Sequence, residues 1–167
     1  LSLLLLLKTD GMVAVIDFGS QYAQLIARRV RALGVKTELQ PYTTPLSKIK
    51  QAEAIILSGG PNSVYTTGAP QFDRRILKLD VPILGICYGM QLIAKTLGGK
   101  VAAGEQAEYG PAIMTVAGQG KKLYSGLPKQ SIVWMSHGDM VTELPAGFAA
   151  MAATKHSPIA AMTDGKR

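Results

Sequence analysis

One segment constrains the fold more than any other: residues 81–99, VPILGICYGMQLIAKTLGG. Pro82 to Ile86 is a short apolar run that reads as a buried strand. Tyr88 to Leu97 carries an apolar stripe at helical spacing, and Gly98 and Gly99 stop it. Between the two lies Gly85-Ile86-Cys87-Tyr88-Gly89, which leaves room only for a sharp corner. Glycines two residues to either side of Cys87 fit a turn where strand and helix backbones come so close that a Cβ would clash. The pattern is the cysteine counterpart of the G-x-S-x-G nucleophile elbow. Such a corner lifts its central side chain off the carboxyl edge of a parallel sheet, where open α/β sheets bind ligands. It also sets the sulfur at a helix N-terminus, whose partial positive charge favours thiolate over thiol. A lone cysteine is more often a small buried hydrophobe. The glycine bracket and the switch from strand to helix select the nucleophile.

An elbow needs parallel neighbours, and the preceding residues supply them. Val13–Phe18 (VAVIDF) and Ala54–Ser58 (AIILS) are short apolar runs, and Val35 to Leu39 reads as a further strand. Ser20 is placed to cap a helix in which Tyr22, Leu25, Ile26, Val30 and Leu33 recur at helical spacing, with Gly34 as its stop. Residues 71–79 alternate as an amphipathic helix with Phe72, Ile76 and Leu79 inward. After residue 100 the texture changes to strand-like runs at 111–117, 131–135, 147–153 and 158–162, separated by Gly, Pro and Lys turns. The expected fold is α/β: an open, mostly parallel sheet with helices on both faces and antiparallel strands added to one side. Neither an internal repeat nor an interdomain linker is visible.

Composition narrows the function classes. The 167 residues are 47% hydrophobic and 17% charged, which is globular rather than disordered. A single cysteine excludes an internal disulfide, and one cysteine with two distant histidines gives no metal-ligand spacing. The net charge of +7 invites a nucleic-acid reading. The basic residues are dispersed in pairs (Arg28 and Arg29, Lys48 and Lys50, Arg74 and Arg75, Lys121 and Lys122), with no aromatic residues between them to stack bases. They read as solvated surface, so neither nucleic acid nor membrane is expected as a partner. The apolar run Leu3–Leu7 is far shorter than the roughly 20 residues a membrane span needs, and it lacks the flanks of a signal peptide. Residues 1–11 read as a tag or other non-native extension, with the domain occupying 12–167. Both ends look cut, the second just after the turn signal Asp164-Gly165.

An oxyanion formed by thiolate attack on an amide needs donors set in place beforehand. The backbone N–H of Tyr88 is one, and Leu57-Ser58-Gly59-Gly60-Pro61 at the end of another strand supplies a loop for a second. GICYGMQ together with LSGGP resembles the class I, triad-type glutamine amidotransferases, whose fold is flavodoxin-like. Within that family, Asp17-Phe18-Gly19-Ser20-Gln21-Tyr22 and Trp134-Met135-Ser136-His137-Gly138-Asp139 resemble the GMP synthase branch. The resemblance runs from about Val13 to the end of the chain. It implies that Cys87 attacks the side-chain amide of glutamine, and that the amides of Gly60 and Tyr88 hold the oxyanion. It further implies that Gly59 and Gln91 contact the substrate. Glu108 is a counterion for its α-amino group or else an ordinary surface carboxylate. Ser136, His137, Gly138 and Asp139 form a loop that grips the amino-acid end.

The same resemblance implies an L-glutamine substrate, a cytoplasmic enzyme and no cofactor in this domain. ATP and magnesium belong to a synthetase module, in cis or in trans, that aminates xanthosine monophosphate (XMP). The full-length enzyme is expected to be a homodimer. A thiolate of this kind wants a histidine base oriented by a carboxylate. His137 is committed to substrate positioning in the family, and His156 has no evident carboxylate partner. The family's His-Pro-Glu block is expected beyond Arg167, so the chain by itself is expected to be inactive. His137 standing in as base is the alternative. Two other readings stay open: the glutaminase of another ammonia-channelling synthase, and a non-catalytic glutamine-binding regulatory module.

Overall fold

The computed structural model of the chain describes residues 11–117 and 123–166. The expected extension at 1–11 falls outside them except for Gly11, and so do Lys121 and Lys122. The described residues divide into two compact units, 11–93 and 94–166.

The first unit is a parallel sheet. Its elements in chain order are β1 (Met12–Asp17), α1 (Ala23–Arg31), β2 (Lys36–Pro41), the single turn α2 (Leu46–Ile49), β3 (Ala54–Leu57), β4 (Ile83–Gly85) and α3 (Tyr88–Thr96), the last running on into the second unit. The strand order is β2-β1-β3-β4, with every pair parallel. Val13, Ala14, Val15 and Ile16 are all at most 3% exposed, so β1 is covered on both faces. That is why it reads as a continuous apolar run rather than an alternating one. Ala27, Ile26 and Val30 of α1 pack against Val13, Val15 and Ala54 on one face. The other face carries Ile16, Leu57 and Gly85 in register. There α3 lies so near that a Cβ on Gly85 would stand 2.8 Å from the Ile93 Cδ1. Helices therefore cover both faces, as expected.

Three local expectations shift. Helix α1 begins at Ala23 after Tyr22, and the Ser20 hydroxyl accepts the Tyr22 N–H at 3.0 Å in the turn before it. Its inward line is Ala23, Ile26, Ala27 and Val30, whereas Tyr22, Leu25 and Leu33 are exposed. Small alanines let the helix lie close to the sheet, and that outweighs the larger apolar side chains one step round the helix. Gly34 does end it, at φ +80°. Residues 71–79 form only a 3₁₀ helix, Arg74–Lys78, with Phe72, Ile76 and Leu77 buried in place of Phe72, Ile76 and Leu79. Asp73 caps it by accepting the Arg75 N–H at 3.0 Å, and the chain turns away before an α-helix can propagate.

The second unit is antiparallel: β5 (Lys100–Val116), β6 (Gln130–Glu143), β7 (Ala149–Ala153) and β8 (Ala161–Thr163), in the order β6-β5-β7-β8. These strands make a sheet of their own and do not extend the parallel one. The runs at 111–117 and 131–135 are parts of two much longer strands. Their pairing is continuous from Glu108↔His137 to Thr115↔Gln130, and it is offset between Ala103 and Glu108. Val101 pairs with Val141 and both are buried. Met151, Ala152 and Ala161 form a second small core with Met114 and Tyr124 against it. One face of the hairpin bears Tyr109, Ile113, Ile132 and Trp134, each more than 60% exposed.

Candidate active site

The corner predicted from sequence is built by backbone contact. Strand β4 ends at Gly85, α3 begins at Tyr88, and Cys87 between them has φ 51°. It is the one non-glycine residue with positive φ among the described residues. That conformation costs an L-residue about 1–2 kcal/mol and persists only where the surroundings enforce it. The enforcement is visible. The Ile86 N–H donates to the Leu57 carbonyl at 2.9 Å, and the Gly89 N–H donates to the Ser58 carbonyl at 3.1 Å. The Gln91 N–H donates to the Cys87 carbonyl at 3.0 Å. A Cβ on Gly85 would meet the Met90 nitrogen at 2.7 Å, and one on Gly89 would run into the Leu57 carbonyl oxygen. Neither neighbour can yield, since both are main chain.

The loop after β3 adjoins this corner. A Cβ on Gly59 would sit 3.6 Å from the Cys87 Cβ. One on Gly60 would press on the Phe18 carbonyl oxygen at 2.8 Å and meet the Tyr88 ring at 3.4 Å. Gly60 thus lets backbone pass where a side chain would not fit, whereas a Cβ on Gly59 would make only ordinary van der Waals contact. Ser58, fully buried, ties the loop to β1: its hydroxyl donates to the Gly59 carbonyl at 2.8 Å and accepts the Phe18 N–H at 3.2 Å. The Asp17 carboxylate accepts the N–H groups of Gly19 and Ser20 at 2.8 and 3.2 Å, which folds DFGS into a turn beside Pro61. Tyr88 packs its ring 5.6 Å from that of Phe18 and donates its hydroxyl to the Pro70 carbonyl at 2.7 Å. Burial pushes its phenol pKa up. Gln91 is buried one turn along α3.

In the second unit the structure gathers polar groups that sequence left apart. Glu108 on β5 stands opposite His137 on β6, with the His137 Nε2 3.2 Å from the carboxylate. The Thr154 hydroxyl, just past β7, lies 2.7 and 2.9 Å from the two carboxylate oxygens. Glu108 is buried, which removes the reading of an ordinary surface carboxylate. A neutral His137 that donates from Nε2 carries its lone pair on Nδ1. That atom is buried and has no hydrogen-bond partner among the described residues. Ser136, His137, Gly138 and Asp139 are not a loop: all four lie within β6. Ser136 is exposed opposite Tyr109, while His137 points to the other face with Glu108, as strand alternation requires.

The family model described as "Glutamine amidotransferase class-I" matches residues 14–167. The chain belongs to the class I glutamine amidotransferases. Within the family it is 52% identical over 156 residues to the GMP synthase [glutamine-hydrolyzing] of Bacillus velezensis, covering 92% of this chain and 30% of that protein. It is 53% identical over 160 residues to the enzyme of the same description from Lactobacillus acidophilus, covering 95% and 31%. The chain thus spans about 30% of the length of the curated relatives it matches. Among solved structures, a Thermoplasma acidophilum chain described as a GMP synthase subunit superposes with a TM-score of 0.79 at 28% identity, covering 92% of this chain and 77% of that one. A Thermotoga maritima glutamine amidotransferase, at TM-score 0.76 and 22% identity, shares the fold.

Of the residues expected at an amidotransferase site, the first unit brings Cys87, Gly59, Gly60 and Tyr88 together. Glu108 and His137 meet in the second unit. Two residues in these surroundings had been given no role of their own from sequence. Ser58 entered only as a loop member, although a serine just before a Gly-Gly pair at a strand end is a readable hint of a loop tie. Thr154 gave no local signal, because its partner is 46 residues away.

Proposed function

We propose that this chain is the glutamine-hydrolysing part of a GMP synthase. The observation that carries the reading is Cys87, held at φ 51° on a glycine-bracketed elbow beside the Gly59–Gly60 loop. The thiolate attacks the side-chain carbonyl carbon of L-glutamine. A C–S bond forms as the carbonyl π pair moves to oxygen, and the N–H groups of Gly60 and Tyr88 receive that charge. The C–N bond then breaks as the nitrogen takes the proton that the histidine base implied by the family resemblance removed from the thiol, and it leaves as ammonia. Water attacks the γ-glutamyl thioester, glutamate departs and the thiolate is restored. Gly59, Gln91, Glu108 and residues Ser136 to Asp139 are assigned to glutamine binding on the family resemblance.

Identity near one half to GMP synthases over more than nine-tenths of the chain supports the branch. On this reading the ammonia passes to a synthetase module, in cis or in trans, that uses ATP and magnesium to convert XMP to GMP. The enzyme is cytoplasmic and homodimeric. The deciding experiment supplies the complete enzyme with XMP, ATP and glutamine. GMP should form, and replacing Cys87 should abolish glutamine-dependent but not ammonia-dependent synthesis. Failure to make GMP with either nitrogen source, while glutaminase activity persists, would assign the domain to a different synthase.

A further inference from the structure

The Glu108 side chain is only 5% exposed, and a buried carboxylate is tolerable only when donors surround it. Thr154 is the closest donor to it, and its geometry is restrictive. Its Oγ1 accepts the Ser157 N–H at 3.0 Å, while its own N–H donates to the Ser157 carbonyl at 2.9 Å. With one lone pair taken by that N–H, the hydroxyl rotor turns its single proton toward Glu108. The distances of 2.7 and 2.9 Å to the two oxygens place the donor near the bisector of the carboxylate. The His137 Nε2 lies 3.2 Å from Oε2. The orientation of Glu108 is thus set by a turn, residues 154–157, that belongs to neither strand of the β5–β6 hairpin.

We propose that Thr154 is a positioning residue for substrate recognition: it aims the Glu108 carboxylate at the α-ammonium group of glutamine. The inference rests on the proposed role of Glu108 as that group's counterion, and it adds a residue to which no role has been given. A carboxylate free to rotate away from its partner weakens binding of the ammonium without touching the bond-making steps at the sulfur. The effect therefore falls on KM rather than on kcat.

The test measures ammonia release by the complete enzyme from two substrates: glutamine, and 4-carbamoylbutanoate, which is glutamine without its α-amino group. Thr154→Val keeps the shape of the side chain and removes the hydroxyl. It should raise KM for glutamine about 5- to 20-fold, with kcat changed less than about twofold. KM for 4-carbamoylbutanoate should not move, whereas damage to the fold would move both. Thr154→Ser, which keeps the hydroxyl, should restore KM for glutamine. If Thr154→Val does not fold, Thr154→Ala set against Thr154→Ser makes the same comparison. Glu108→Gln separates the two layers of the claim. If it leaves the preference for glutamine over 4-carbamoylbutanoate intact, the assignment of Glu108 fails and the inference with it. If Glu108→Gln abolishes the preference while Thr154→Val preserves it, Glu108 stands and the role of Thr154 is overturned.

Discussion

The two units hold their polar groups in opposite ways. In the parallel unit the corner at Cys87 is one contiguous stretch, Gly85 to Gly89, and main chain defines it: carbonyls of Leu57 and Ser58 accept the N–H groups of Ile86 and Gly89. In the antiparallel unit Glu108, His137 and Thr154 come from two strands and the turn after a third, and side chains define the arrangement. The first design places a sulfur at a fixed point and tolerates no added atom at its glycines. The second places a carboxylate through partners that can each be exchanged, at the cost of depending on all of them.

The largest effect expected is chemical. Cys87→Ala in the complete enzyme should lower glutaminase kcat by on the order of 10⁴-fold or more, since no other residue supplies the nucleophile. It should leave the unfolding midpoint in urea unchanged or slightly raised, because alanine keeps the volume small and the corner is held by its neighbours. A backbone-built corner next predicts that Gly89→Ala destabilises by about 3–5 kcal/mol, as a Cβ there meets the Leu57 carbonyl and neither backbone can retreat. Gly34→Ala is the control: it has open space but φ +80°, so about 1 kcal/mol should be lost. Urea titrations of both variants measure the contrast. Equal and small losses would mean the corner is soft, and the comparison between units would break.

A side-chain-built site predicts a different profile. Glu108→Ala leaves the Thr154 hydroxyl and the His137 Nε2 without their acceptor in a buried place, at about 2–3 kcal/mol. Glu108→Gln, which keeps an acceptor oxygen, should recover at least half of that loss. The same urea experiment reads it. A Glu108→Gln variant no better than Glu108→Ala would show that charge rather than hydrogen bonding holds the cluster.

The contrast also explains what could be read from sequence. The elbow was legible because its cause is local: glycines at 85 and 89 answer a clash within a few residues of Cys87 and with the neighbouring strand. The parallel strands were legible because burial on both faces leaves continuous apolar runs such as VAVID. The antiparallel unit hid more. Gly110, Pro111 and Gly138 punctuate β5 and β6 with the residues that normally mark turns, so two long strands looked like short runs with loops between them. SHGD became a loop by the same reasoning. Glu108 could be read as surface or as site, since its burial depends on residues 29 and 46 positions away, His137 and Thr154.

Local reading failed inside the parallel unit as well, at the start and inward face of α1 and at residues 71–79, and the smallest predicted effect probes the reason for the last. Asp73 draws the chain into a 3₁₀ turn by accepting the Arg75 N–H, and its carboxylate also takes the Arg75 guanidinium at 2.6 Å. The side-chain hydrogen bond from Arg75, followed by the backbone one, lowers the Asp73 pKa from 3.8 to about 2. A depressed acid favours the folded state above its unfolded value, and that contribution is lost as pH falls through the folded value, here between about 3.8 and about 2. The pair is open to solvent, so its effect on stability at neutral pH should be too small to detect in a urea midpoint. Its titration should still be visible by NMR of the Asp73 carboxyl carbon. Arg75→Ala removes the guanidinium but keeps the N–H, so the midpoint should return only part of the way to 3.8. A complete return would show that the cap bond is absent in solution. The turn at 71–79 would then owe its shape to the burial of Phe72, Ile76 and Leu77 instead.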